Sequence, residues 1–253
     1  MGFADLLIKL GIPYTSEEAI QLALKIMEFF HKESLKASLS LAQERGVFPN
    51  YGKSIYYKKN KRLRNATVNT VAPTGTISIV AGCSSGIEPI FALSYVRNVL
   101  SGTRLFETHT IFENELRQKG LYSRELMAKI GKLGSIQSLG EVPSELKRIF
   151  ITSFDVPPEH HLRIQAAFQK HTDNSVSKTI NLPADATVED VRNIYLMAHE
   201  LKCKGITIYR YGTKKDQVLS FDSRAGHERR EDIRFISAES EFSGGCLSGM
   251  CPF

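Results

Sequence analysis

The 253-residue sequence contains no apolar run approaching the roughly 18 residues that a membrane span requires. Its first ten residues carry neither a basic segment nor a small-residue cleavage pattern, so no secretory leader is read there and a cytoplasmic location is expected. Cysteine is scarce. The four present are Cys83, Cys203, Cys246 and Cys251, and in a cytoplasmic chain an even count does not imply a disulfide framework. Cys83 and Cys203 stand alone, whereas Cys246 and Cys251 lie close together near the C-terminus. No zinc-finger, RRM or KH signature accompanies the formal charge of +6, so nucleic acid is not an expected partner. His160 and His161 are adjacent and therefore point in different directions on a helix. A metal pair would need i, i+4 or similar spacing, and no metal site is expected.

What is present suffices for a substantial core: 42% hydrophobic and 24% charged residues, ordinary for a globular chain. One stretch stands out. Residues 65–89 have few charges and two β-branched groups, Thr67, Val68, Thr70, Val71 and then Ile77, Ile79, Val80, which read as two strand segments. Between them lies the small, hydroxyl-rich turn 72–78. Its backbone N–H groups and the hydroxyls of Thr74, Thr76 and Ser78 can cradle a phosphate without a cationic side chain. A second polar turn, 82–86, follows at once. The excess positive charge sits just upstream, in Lys58, Lys59, Lys61, Arg62 and Arg64; a solvated loop and attraction of an anionic ligand are both open readings.

Along the chain, residues 3–10 read as a helix closed by Gly11 and Pro13. Thr15 and Glu18 have capping-box spacing ahead of a long amphipathic helix that ends at Gly46, its stripe of Ile20, Ala23, Ile26, Met27 and Phe30 facing a core. Residues 47–64 read as a loop, 90–100 as β-rich, and 104–119, 123–130 and 143–150 as helices. Pro157-Pro158 opens a helix to about residue 170. A second polar tract, 172–183, enters a strand; Thr187 caps a helix over 188–202; and 205–211 is a strand. The recurring order of helix, strand and polar loop predicts α/β layers with parallel strands, whose C-terminal ends gather ligands. Residues 223–253 read as a flexible tail.

These residues resemble the catalytic chain of ribonucleotide reductase. Residues 1–7, Met-Gly-Phe-Ala-Asp-Leu-Leu, resemble a helix in the middle of that family's barrel domain. Residues 65–76 resemble its diphosphate-binding loop, and Ser85-Gly86-Ile87-Glu88-Pro89 the motif after it. Residues 172–181, Thr-Asp-Asn-Ser-Val-Ser-Lys-Thr-Ile-Asn, are similar to a strand and loop of the adenosylcobalamin-dependent (class II) branch. Residues 246–251 resemble the C-terminal redox pair. The resemblance implies an α/β fold: the C-terminal half of a ten-stranded α/β barrel over 1–222, then a flexible redox-active tail over 223–253. It implies that Pro73, Thr74, Gly75, Thr76, Ile77 and Ser78 hold a ribonucleotide's phosphates. It implies further that Asn174, Ser175, Ser177 and Lys178 contact adenosylcobalamin, and that Cys246 and Cys251 exchange disulfides with the active site and then with a thioredoxin-like reductant. A 31-residue flexible tail has a reach of about 30 Å, sufficient for that exchange.

The family's thiyl-forming cysteine sits in an Asn-x-Cys-x-Glu arrangement that this sequence lacks. An N-terminal half, as a separate chain or a removed segment, is therefore expected to supply it and to share the cofactor. The branch that uses a separate radical-generating subunit relays the radical through two adjacent tyrosines. Here the corresponding strand reads Tyr209-Arg210-Tyr211, which favours the cobalamin branch. Three alternatives stay open: a non-catalytic nucleotide-binding module, a thiol-redox carrier using only the tail, and the large subunit of a class I reductase.

Overall fold

A computed structural model of the chain describes residues 1–98, 104–213 and 219–220. Helix α1 (Phe3–Lys9) leads through the buried Ile12 and Tyr14 into α2 (Glu17–Arg45), which ends at Gly46 with φ 75°. The α2 cap is Ser16 rather than Thr15; its hydroxyl accepts from the Ala19 N–H at 3.1 Å. A 3₁₀ turn (Tyr51–Lys53) and α3 (Ile55–Lys58) give the expected loop local order, resting on a small cluster of Phe48, Tyr51 and Leu63. There follow α4 (Gly75–Val80), β1 (Ser94–Asn98), β2 (Arg104–Thr108), α5 (Thr110–Gln118), α6 (Arg124–Leu133), α7 (Ser144–Ile149), α8 (Pro158–Gln169), β3 (Thr179–Leu182), α9 (Val188–Glu200), β4 (Thr207–Arg210) and β5 (Leu219–Ser220).

Some segments depart from their sequence patterns. Residues 77–80, expected as a strand, belong to helix α4, and Ile77, Ile79 and Val80 are exposed. The left-handed Thr74 (φ 56°) turns the chain just before Gly75, and the Ser78 N–H closes on the Thr74 carbonyl at 2.9 Å. Local turn geometry thus outweighs the β preference of three branched side chains. The helix expected over 104–119 divides into β2 and α5, because β1 offers residues 104–108 an antiparallel partner along its whole length.

The strands form two sheets. In one, β1 pairs antiparallel with both β2 and β5. In the other, β3 and β4 are parallel, with Ile180 opposite Ile208, and α9 makes the crossover between them. Residues 67–71, also expected as a strand, form none; they lie against residues 173–177, just upstream of β3, with one isolated parallel bridge between Val71 and Val176. Parallel α/β layering therefore holds for this part of the chain, and the β1 sheet departs from it.

The core is organised on α8. Ile164, Ala167 and Phe168 join the main cluster with Phe3, Leu7, Tyr14 and Met27, while Leu162 packs with Ile180, Leu182, Ile194 and Ala198. Leu162 and Ile164 are fully buried, and such side chains stabilise by about 1.5–3 kcal/mol each. Two glutamines one turn apart tie α8 to the segments that lead into the strands: Gln165 donates to the Gly205 carbonyl at 2.6 Å, ahead of β4, and Gln169 to the Asn174 carbonyl at 2.9 Å, ahead of β3. The α2 stripe is only half core. Met27 is buried, but Phe30 is exposed at the edge of a cleft. Among the described residues no helix is long and apolar enough to cross a membrane.

Candidate functional site

The turn singled out in the sequence becomes the entry to α4. The N-cap residue Thr74 makes no side-chain cap bond to this helix, and the N–H groups of a helix's first turn have no intrahelical partner. The turn is held from behind by the second polar loop. Ser85 donates its hydroxyl to the Pro73 carbonyl at 2.7 Å, and the Gly86 N–H donates to the Thr74 hydroxyl at 2.7 Å. Gly86 adopts φ +52°, and a Cβ there would stand 3.4 Å from the Ala72 and Pro73 carbonyl oxygens. The angle favours glycine at this contact, where a Cβ would stand at the near edge of van der Waals distance.

The second loop is anchored at both ends. At its start, the Ser84 N–H donates to Asp5 Oδ2 at 2.6 Å, and the Asp5 N–H donates to the Ser84 hydroxyl at 3.2 Å. His109 Nε2 lies 2.9 Å from Asp5 Oδ1. Burial pushes the Asp5 carboxyl up, but His109 and the Ser84 N–H more than offset this and hold it below its ordinary value. At its end, the buried Tyr14 hydroxyl donates to the Ile87 carbonyl at 2.7 Å. Glu88 accepts from the Thr179 N–H and from Lys178 Nζ, each at 2.6 Å.

The two polar tracts that the sequence marked separately lie side by side. Asp173 accepts from the Val68 N–H at 2.8 Å, Asn69 accepts from the Asp173 N–H at 2.7 Å, and the Ser177 N–H donates to the Val71 carbonyl at 2.9 Å. Asn174 and Ser175 are exposed and Ser177 is half-buried. Lys178 differs from its three neighbours. Its side chain is wholly buried, with Nζ on Glu88 and on His161 Nδ1 at 2.9 Å. His161 accepts at Nδ1, so Nε2 carries the proton that faces the Ser153 carbonyl at 3.1 Å. Burial first, and the Lys178 charge second, lower the His161 pKa to about 2.

Between α1, α2 and residues 67–72 opens a cleft of about 780 Å³. Leu6, Ile26, Met27 and Phe30 form an apolar wall; Asn69, Thr70, Thr74 and Asn174 form a polar one. The structure thus brings together the turn at Thr74, Gly86 and the 174 region around one opening. Of the residues expected to hold phosphate, Thr74 lines the cleft; Pro73, Gly75, Thr76, Ile77 and Ser78 are not among its lining residues, nor are Ser175, Ser177 and Lys178. Cys246 and Cys251 lie outside the described residues. Among the described residues no group of His, Cys, Asp and Glu could hold a metal ion. Sequence reasoning missed the bracing roles of Asp5, Glu88, His109 and His161. One signal was available: Glu88 is the sole charge in residues 65–89, and Lys178 the sole cation in 172–183.

The family model described as "Ribonucleotide reductase, barrel domain" matches residues 1–209. The chain belongs to the ribonucleotide reductase family. It is 46% identical, over 99% of its length, to a vitamin B12-dependent ribonucleoside-diphosphate reductase of Thermoplasma acidophilum, of which it covers 34%. It is 45% identical over its whole length to the protein of that name from Mycobacterium tuberculosis, of which it covers 35%. Among solved structures it is similar to the Actinobacillus ureae class Id ribonucleotide reductase alpha subunit, with a TM-score of 0.71 and 27% identity over 84% of this chain and 38% of that one. The chain therefore spans about a third of the length of these curated relatives. The ribonucleotide reductase fold is present here as a partial α/β architecture.

Proposed function

We propose that the chain is the C-terminal part of a vitamin B12-dependent ribonucleoside-diphosphate reductase, which replaces the ribonucleotide 2′-hydroxyl by hydrogen. The observation that carries this reading is the likeness at 45–46% identity, along essentially the whole chain, to relatives that bear that name. Residues 73–78 hold the substrate's diphosphate through the N–H groups at the start of α4 and the hydroxyls of Thr74 and Thr76. Such a turn serves radical chemistry by fixing the ribose relative to groups supplied from elsewhere.

Adenosylcobalamin, when bound, supplies the radical that starts the reaction. The exposed amide and hydroxyl of Asn174 and Ser175, with Ser177 beside them, fit contact with the polar side chains of a corrin. Lys178 does not fit that role, since its ammonium is turned inward onto Glu88. Cys246 and Cys251 form the dithiol that restores the active site, and a thioredoxin-like protein reduces them in turn. The radical-bearing cysteine comes from an N-terminal part that joins this chain at the cleft.

The test is reconstitution. This chain is mixed with an N-terminal part carrying Asn-x-Cys-x-Glu, adenosylcobalamin, a ribonucleoside diphosphate and a dithiol. Deoxyribonucleotide formation that requires both parts is the expected result. Nucleotide binding without turnover would instead identify a non-catalytic module.

A further inference from the structure

The Glu88–Lys178 pair joins two segments ninety residues apart, and it does so behind the turn rather than at the cleft. The Lys178 ammonium meets Glu88, His161 Nδ1 and the Thr179 carbonyl, with the Tyr14 ring 5.8 Å away. Glu88 in turn holds the Thr179 N–H, so both of its oxygens are committed to one strand entrance. Two and three residues upstream, Gly86 and Ser85 grip Thr74 and Pro73. A continuous set of short contacts therefore runs from a buried cation to the turn itself.

We propose that Lys178 is a positioning residue for the phosphate-binding turn, acting through Glu88 on the grip of Ser85 and Gly86. This rests on the reading that residues 73–78 bind a diphosphate. Without the ammonium, Glu88 keeps one partner and has a way out, because its side chain is 25% exposed. Its rotation to water would leave the Tyr14 hydroxyl on Ile87 as the remaining anchor at this end of the loop and slacken the hold of Ser85 and Gly86 on the turn. Lys178→Met with Glu88→Gln removes both charges together and leaves no carboxylate seeking solvent.

The experiment uses the full chain and ADP as probe, by calorimetry, with hydrogen exchange alongside. Lys178→Met is expected to weaken ADP by about tenfold or more, the scale on which groups supporting a site from behind act. The double variant is expected to recover most of that loss. The amides of Gly86 and Ser78, both bonded to Thr74, should exchange faster in Lys178→Met while those of α9 do not. Wild-type affinity in Lys178→Met, or faster exchange spread evenly over the chain, would overturn the proposal and leave a merely structural ion pair. If the wild-type chain binds no ADP, the diphosphate reading fails. Exchange still decides the latch: a local change at Gly86 and Ser78 supports it, and none refutes it.

Discussion

Gly86 holds a left-handed backbone position at the site, at φ +52° and beside two carbonyl oxygens. Gly86→Ala must accept a left-handed angle with its methyl tight against the Ala72 and Pro73 carbonyl oxygens. Chemical denaturation should show a loss of about 1–2 kcal/mol, and the displaced turn should bind ADP more weakly by calorimetry. Asp5 is the other decisive residue, because it ties α1 to Ser84 and His109. Its carboxyl is held below the ordinary value of 3.8. Its stabilising contribution is therefore complete above pH 3.8 and is lost as pH falls through the lowered value. Asp5→Ala should cost about 2 kcal/mol at neutral pH, the scale of a hydrogen bond to a charged group. A titration of stability should find this difference shrinking in acid.

Among the elements, α8 joins the two halves of the core and carries His161 beneath Lys178. Neutral burial of His161 has a clear sign. Its pKa falls from 6.5 to about 2 on folding, so the unfolded chain binds the extra proton and stability drops as pH falls below 6.5. This group alone sets a slope of up to about 1.4 kcal/mol per pH unit. His161→Gln, read by denaturant melts between pH 7 and 4, should show a shallower acid decline than the wild type. Helix α9 presents a simpler case. Thr187 accepts from the Asp190 N–H at 3.2 Å while Asp190 accepts from the Thr187 N–H at 2.7 Å, a complete capping box. Thr187→Ala should lower stability by about 1 kcal/mol in the same assay. That cap was legible in the sequence because it needs only residues three apart. The α4 helix was not, because its turn is imposed by Ser85 and Gly86 from the neighbouring loop.

For the whole molecule, the cleft wall and its surroundings leave Met1, Leu6, Phe29 and Phe30 exposed. Grouped apolar residues of this size seek a partner. In sedimentation experiments the isolated chain should self-associate, and, on the function proposed above, addition of an N-terminal part of a reductase should replace those species with a defined complex. A monodisperse monomer with cooperative unfolding would contradict this.

The sequence by itself determined the long helix α2, the βαβ order of β3, α9 and β4, the glycine- and hydroxyl-rich turn, and the family. Each rests on periodicity, capping or motif, all of them local along the chain. Only the tertiary structure decided that residues 77–80 are helix, that residues 67–71 lie against 173–177, and that Lys178 faces inward. These depend on partners far away in sequence: Gly86 for the turn, Asp173 and Ser177 for the extended tract, Glu88 and His161 for the lysine. A buried charge reveals its role only when its counter-charge is in place, and although Glu88 and Lys178 each stand out as lone charges in their tracts, only the fold brings the two together.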